Sequence, residues 1–245
     1  PPPAPGGPAG SCPRAPRQWV LEDNFPQGRP ALEEVGVTFT DKVHEYERMK
    51  IRILNGGHAI IAYAGALLGC ELVDEAMAHP PVHAFLRKVE EQEVLPHVHP
   101  VPDFTPPEYL ELIDERFSNP AVKDTTRRLC LDGSNRQPKF IVPSILDGLK
   151  AGASVTGLAL ESALWCRYCA GHFEDGREIA PNDPDWDRLV ALSAEARTRP
   201  AAWLEQRTVY GDLASNPHFA ALFSGWLDRL SADGVQKTLE AYLAD

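Results

Sequence analysis

The run Tyr46–His58 reads YERMKIRILNGGH and brings a carboxylate, an amine, an amide and an imidazole into one short stretch: Glu47, Lys50, Asn55 and His58. At about 100° per residue of α-helix, with Glu47 at zero, Lys50 falls near about -60°, His58 near +20° and Asn55 near +80°. The four groups then share an arc of about 140° on one helix face. A lysine in a water-poor cleft can take up a proton near neutral pH. An asparagine amide can donate to an oxygen gaining negative charge. A neutral imidazole can orient a hydroxyl. The plain alternative is an exposed Glu47–Lys50 pair at i,i+3 and a satisfied core histidine. The glycine pair Gly56-Gly57 and the apolar continuation Ala59-Ile60-Ile61-Ala62-Tyr63 favour the chemical reading, because they carry this face into the interior.

These residues need a long helix, and the pattern predicts one from about Lys42 to Leu68 with Asp41 as N-cap. Gly56 and Gly57 each cost about 1 kcal/mol against Ala within it, so close backbone approach is expected there. Further helices are predicted over Pro81–Val94, Pro107–Phe117, Ala121–Leu131, Phe140–Ala151, Val155–Phe173, Asp185–Ala196, Pro200–Tyr210, Pro217–Leu230 and Gly234–Leu243. Asn119-Pro120 and Asn216-Pro217 each pair a capping amide with proline at a first helical position. Pro143 should bend or start its helix. Two short strands, Gln18–Glu22 and Val35–Thr40, precede the helices. The expected fold is mainly α, a multi-helix bundle with a two-strand β remnant at its N-terminal end.

The 245 residues carry 24 Lys plus Arg against 35 Asp plus Glu, a formal net charge of -11. That balance argues against nucleic acid and anionic membranes as partners. No apolar run reaches the roughly 20 residues needed to span a bilayer. Five cysteines, at 12, 70, 130, 166 and 169, make no disulfide framework and suggest a cytoplasmic setting. Cys166-x-x-Cys169 has redox spacing but sits in an apolar helix, where buried structural thiols are expected. His79, His83, His97 and His99 lack further ligands at workable spacing, so no metal site is expected. Residues 1–16 hold seven of the 23 prolines and read as a flexible leader.

The run Lys50-Ile51-Arg52-Ile53-Leu54-Asn55-Gly56-Gly57-His58 resembles the K-x4-N-x2-H signature of the polyol-specific long-chain dehydrogenases, the mannitol 2-dehydrogenase type. Arg17–Asp23, Gly36–Asp41, Arg116–Pro120, Arg128–Ser134 and Pro138–Phe140 also resemble family segments in the expected order. The resemblance covers about residues 17–245. It implies a fold similar to the C-terminal domain of mannitol and 6-phosphogluconate dehydrogenases, with residues 17–41 as the edge of a nucleotide-binding domain and 42–245 as the helical substrate domain. It implies Lys50 as general acid/base, Asn55 as the amide that steadies the alkoxide, His58 as a substrate-holding imidazole and Glu47 as a proton relay. Arg128 and Arg136 match positions that contact polyol hydroxyls. The implied cofactor is NAD or NADP, the implied substrate a polyol or keto sugar, and no metal is used. The sequence has no G-x-G-x-x-G loop. The nucleotide-binding domain would therefore have to be supplied in cis or in trans, and this chain alone would be inactive. The alternative is a non-catalytic pseudoenzyme or a sugar- or partner-binding module.

Overall fold

The computed structural model describes residues 19–244, so the leader predicted at 1–16 lies outside the described residues. Strands β1 (Trp19–Glu22) and β2 (Val37–Thr40) pair in parallel, with Trp19 opposite Val37 and Glu22 opposite Thr40. Parallel strands normally have both faces covered. Here Trp19 is 58 % exposed, and Val35, in the turn before β2, is 71 % exposed.

The chain then turns helical, as predicted. Helix α1 (Val43–Met49) runs through a π-turn at Lys50–Asn55 into α2 (Gly56–Leu67). Next come α3 (Val73–Ala78) and α4 (Pro80–Val89), and α4 continues as a second π-turn, Glu90–Val94. Helices α5 (Pro106–Phe117), α6 (Thr126–Leu129), α7 (Gly133–Phe140) and α8 (Val142–Ala151) come after it. The bundle is completed by α9 (Thr156–Tyr168), α10 (Trp186–Ala196), α11 (Ala201–Leu204), α12 (Arg207–Tyr210) and α13 (Pro217–Ala244).

Helices α2 and α9 are buried on nearly every side, which is why their sequences are apolar all round rather than amphipathic. The shells around them are amphipathic and present Val82, Phe85, Leu86 and Val89 from α4 and Phe219, Phe223, Leu227 and Leu230 from α13. A Cβ on Gly57 would lie 3.3 Å from Glu90 Oε1 and 3.4 Å from Leu86 and Phe117. The expected close approach at the glycine pair is therefore to side chains of α4, its π-turn extension and α5. No helix among the described residues is long and apolar enough to cross a membrane.

Several boundaries differ from the sequence reading for identifiable reasons. The N-cap of α1 is Lys42 rather than Asp41, with Thr40 Oγ1 accepting the Lys42 amide. Asn119 makes a local turn, accepting from the Ala121 amide, and Lys123 takes a positive φ of 52°. The helix predicted from Ala121 therefore starts only at Thr126, capped by Thr125. Asn216 does cap its helix, accepting from the Phe219 amide at 3.0 Å. Helices α7 and α8 divide at Ile141, and Pro143 occupies the first turn of α8, where its missing N–H costs nothing. The last two predicted helices follow one another along α13 and part at Gly234, whose φ of 79° and ψ of 176° are not helical, so the expected break is present. Short α3 and α7 up to Lys139 carry too little apolar periodicity to be read from sequence. Cys166 and Cys169 are buried free thiols, as expected, and burial pushes both well above the usual thiol range.

Candidate active-site cleft

The turn that carries Lys50 and Asn55 is wider than an α-helix: the Gly56 amide reaches back five residues to the Ile51 carbonyl. This widening matters for geometry. Lys50 and Asn55 would sit about 140° apart on an α-helix, whereas five residues are close to one turn when hydrogen bonds run i to i+5. The π-turn thus puts the amine and the amide on one side. Buried Arg52 anchors it, donating from Nη1 to Ser144 Oγ and from Nη2 to Asp147 Oδ2, both at 2.7 Å. Arg48 joins the same carboxylate at 3.0 Å. The turn is therefore tied to α8 by a charge-assisted network, and these bonds are roughly twice as strong as neutral ones.

Lys50, Asn55 and His58 all line one cleft of about 310 Å³. Arg128 and Arg136 line it too, so five of the six predicted site residues converge there. Glu47 does not. Its side chain is 61 % exposed and faces His44, with 3.7 Å between Oε2 and Nδ1. Glu47 stands three residues before the π-turn, about 4.5 Å nearer the exposed start of α1 than Lys50, so it lies beyond the lining of the cleft. Lys50 itself is exposed, while Asn55 and His58 are partly buried.

The lining also contains groups that were not singled out: Tyr63, Arg116, Gln137 and Phe140. Arg116 and Phe140 stand within the family-like stretches, which was the available signal; Tyr63 and Gln137 carried none. Four cationic side chains thus border one cleft in an acidic protein, and no carboxylate is among its lining residues.

Each group has a distinct setting. His58 stacks on Phe117 with ring centroids 4.4 Å apart and 18° between planes. Burial, reinforced by the nearby Arg128, Arg116 and Arg136, lowers its pKa to about 3 despite an opposing pull from Asp124. Its ring is therefore neutral at physiological pH and can accept or donate one hydrogen bond. Arg128 pairs through Nε and Nη2 with both carboxyl oxygens of Asp124. Arg136 donates Nη1 to the Arg128 and Leu129 carbonyls, at 3.3 and 3.1 Å. Both guanidinium groups are held in place and retain further N–H groups for a ligand. A second concavity of about 320 Å³, lined by Cys70, Thr125, Arg127, Tyr168 and Arg177 among others, brings together no comparable amine, amide and imidazole.

Residues 42–231 match the family model of the mannitol dehydrogenase C-terminal domain. The chain belongs to this family. A mannitol 2-dehydrogenase of Cereibacter sphaeroides is 60 % identical over 228 residues, covering 93 % of this chain and 48 % of the relative. One from Aspergillus terreus is 35 % identical over 230 residues, 92 % of this chain and 46 % of the relative. Among solved structures, the Pseudomonas fluorescens mannitol 2-dehydrogenase ternary complex with NAD and D-mannitol superposes with a TM-score of 0.88 at 37 % identity. It too covers 93 % of this chain and 46 % of the other. A substrate-free D-sorbitol dehydrogenase gives a TM-score of 0.82 at 25 % identity, over 91 % of this chain and 46 % of that one. The chain thus spans about half the length of the curated relatives it matches. The mainly α bundle with its small parallel sheet is this family's C-terminal fold.

Proposed function

We propose that the chain is the substrate-binding and proton-transferring half of an NAD(P)-dependent, mannitol-type polyol 2-dehydrogenase. The convergence of Lys50, Asn55 and His58 on one cleft bordered by Arg128 and Arg136 carries this reading. The relatives' names supply the reaction class, and the P. fluorescens complex supplies the precedent of D-mannitol with NAD. The described residues contain no strand, glycine-rich loop and helix unit that could cradle a dinucleotide pyrophosphate. Residues 17–41 would be the edge of a nucleotide-binding domain and 42–245 the substrate domain. The nicotinamide, held by that other domain, supplies the hydride chemistry.

This chain's residues handle the oxygen and its proton. Lys50 Nζ accepts the proton of the reacting hydroxyl during polyol oxidation and returns it during ketone reduction. The Asn55 amide donates to the oxygen as it gains negative charge, an electrostatic contribution fixed in place before the reaction. His58, neutral and braced by Phe117, orients a hydroxyl of the substrate. Arg128 and Arg136 hold the remaining hydroxyls. Glu47, exposed on the turn before Lys50, exchanges protons between Lys50 and water.

The test joins the nucleotide-binding half of the C. sphaeroides relative to this full chain and measures mannitol oxidation. Lys50→Ala is expected to lower kcat by at least about a hundredfold, the usual scale of a lost acid–base group. An active Lys50→Ala hybrid defeats the role given to Lys50.

A further inference from the structure

Asp147, on α8, is not among the residues that line the cleft, yet its Oδ2 receives two guanidinium groups that stand on either side of Lys50. Arg52 Nη2 reaches it at 2.7 Å from inside the π-turn. Arg48 Nη2 reaches it at 3.0 Å from the last turn of α1 and also approaches the His97 carbonyl at 3.5 Å. One carboxylate oxygen therefore holds the chain two residues before the proposed acid/base lysine and two residues after it.

This arrangement depends on the charge of Asp147. Arg48 and Arg52 are spaced i,i+4, so on a helical stretch they are neighbours, and two like charges there repel. Arg52 is also buried, at 8 % exposure. Burial lowers its pKa, Asp147 opposes that fall, and Arg48 adds to it. A buried guanidinium beside a second cation is tolerated only with a carboxylate close by. The other Arg52 contact, from Nη1 to buried Ser144 Oγ, also lies on α8 and carries no charge of its own. Beyond Arg52, Gly56 stands against the Phe140 carbonyl, which a Cβ there would meet at 3.5 Å. The turn is thus held at Arg52 and at Gly56, and Asn55 lies between the two holds.

We propose that Asp147 is a positioning residue for the alkoxide-stabilising amide: by holding Arg48 and Arg52 on either side of Lys50, it fixes the π-turn in the form that sets Asn55 on the side of the Lys50 amine. This inference rests on the polyol-dehydrogenase reading above and extends it to a residue outside the cleft. Proton transfer stays with Lys50. Asp147 bears on kcat through the placement of Asn55, and not on the hold of Arg128 and Arg136 on the polyol.

The experiment uses the full chain joined to the C. sphaeroides nucleotide-binding half and measures mannitol oxidation. Asn55→Ala sets the scale, with an expected loss in kcat of about a hundredfold for one oxyanion donor. Asp147→Asn keeps the shape and removes the charge; it should lower kcat by about tenfold, part of that loss, and change KM by less than about twofold. In the Asn55→Ala background the same substitution should cost less than about twofold, because the group it positions is gone. Arg52→Lys keeps the charge but cannot reach Ser144 and Asp147 together; it should follow the same pattern, and it carries the test if the Asn variant does not fold. Asp147→Glu, which retains the charge, should stay closer to the unsubstituted hybrid than Asp147→Asn does. An unaltered kcat, a loss that appears in KM instead, or equal kcat losses with and without the Asn55 amide overturn the inference and leave the functional reading standing. An unsubstituted hybrid that oxidises no polyol brings down the functional reading, and the inference with it.

Discussion

Glu161→Gln offers a quantitative test of the buried floor beneath the cleft. Glu161 is wholly enclosed, and burial, offset in part by the Gln137 hydrogen bond, raises its pKa from 4.5 to about 8. The folded state therefore binds a proton that the unfolded chain releases between those values. Stability must fall as pH rises through this interval, because the folded state then holds the larger number of protons. At about 1.4 kcal/mol per pKa unit, the full effect is about 5 kcal/mol at alkaline pH. Glutamine is close to isosteric with the protonated acid, retains an acceptor for Gln137 and does not titrate. The variant should therefore gain on the unsubstituted chain by about 3 kcal/mol between about pH 5 and pH 8. Urea unfolding at these two pH values would register this as a relative midpoint shift of about 1 M. Parallel pH curves for the two proteins would refute the reasoning, since they would mean that Glu161 is ionised, or equally protonated, in both states.

Two further outcomes rest on the packing. His58, with a pKa near 3 in place of 6.5, should show no titration of its ring protons by NMR between about pH 5 and pH 8. The sign is opposite to that of Glu161: the contribution of neutral His58 is complete above the unfolded value and is lost as pH falls toward the folded one. Gly157→Ala would drive a methyl against Tyr242 Oη and to 2.5 Å from Val89 Cγ2, where α9 crosses α4 and α13. Thermal or urea unfolding should show a loss of about 1–3 kcal/mol, the cost of overpacking a filled core; an unchanged midpoint would mean that this crossing is looser than the structure has it.

Much of this architecture could be read from residue order. The long helical run from Lys42 and the capping pair Asn216-Pro217 are local signals, and both appear in the fold. Asn119-Pro120 carries the same dipeptide but closes a turn, because the chain next bends through Lys123 at positive φ before Thr125 caps α6. The cap signal is identical in the two places; the tertiary path decides its use. Gln137 was invisible for a different reason. A glutamine between Arg136 and Pro138 has no pattern of its own, and its significance comes from Glu161, which lies 24 residues away on another helix.

The π-turn shows most clearly what a strict helical projection leaves out. A strict α-helical projection puts Glu47, Lys50, Asn55 and His58 in one arc and assigns them one environment. The wider turn at Lys50–Asn55 changes the phase between α1 and α2 and draws Asn55 and His58 onto the side of Lys50, while Glu47, three residues earlier on exposed α1, stays in solvent. π-turns replace good α-helical geometry with poorer bonds and survive where another constraint holds them. Here the constraint is visible in the Arg52 contacts with Ser144 and Asp147, and in the glycine pair that seats the next turn against Glu90 and Phe140. The separation of Glu47 from the cleft suits a group that exchanges protons with water better than one that touches a polyol. The π-turn brings Lys50 and Asn55 together, and the place of Glu47 nearer the exposed start of α1 leaves it on the solvent side of the amine.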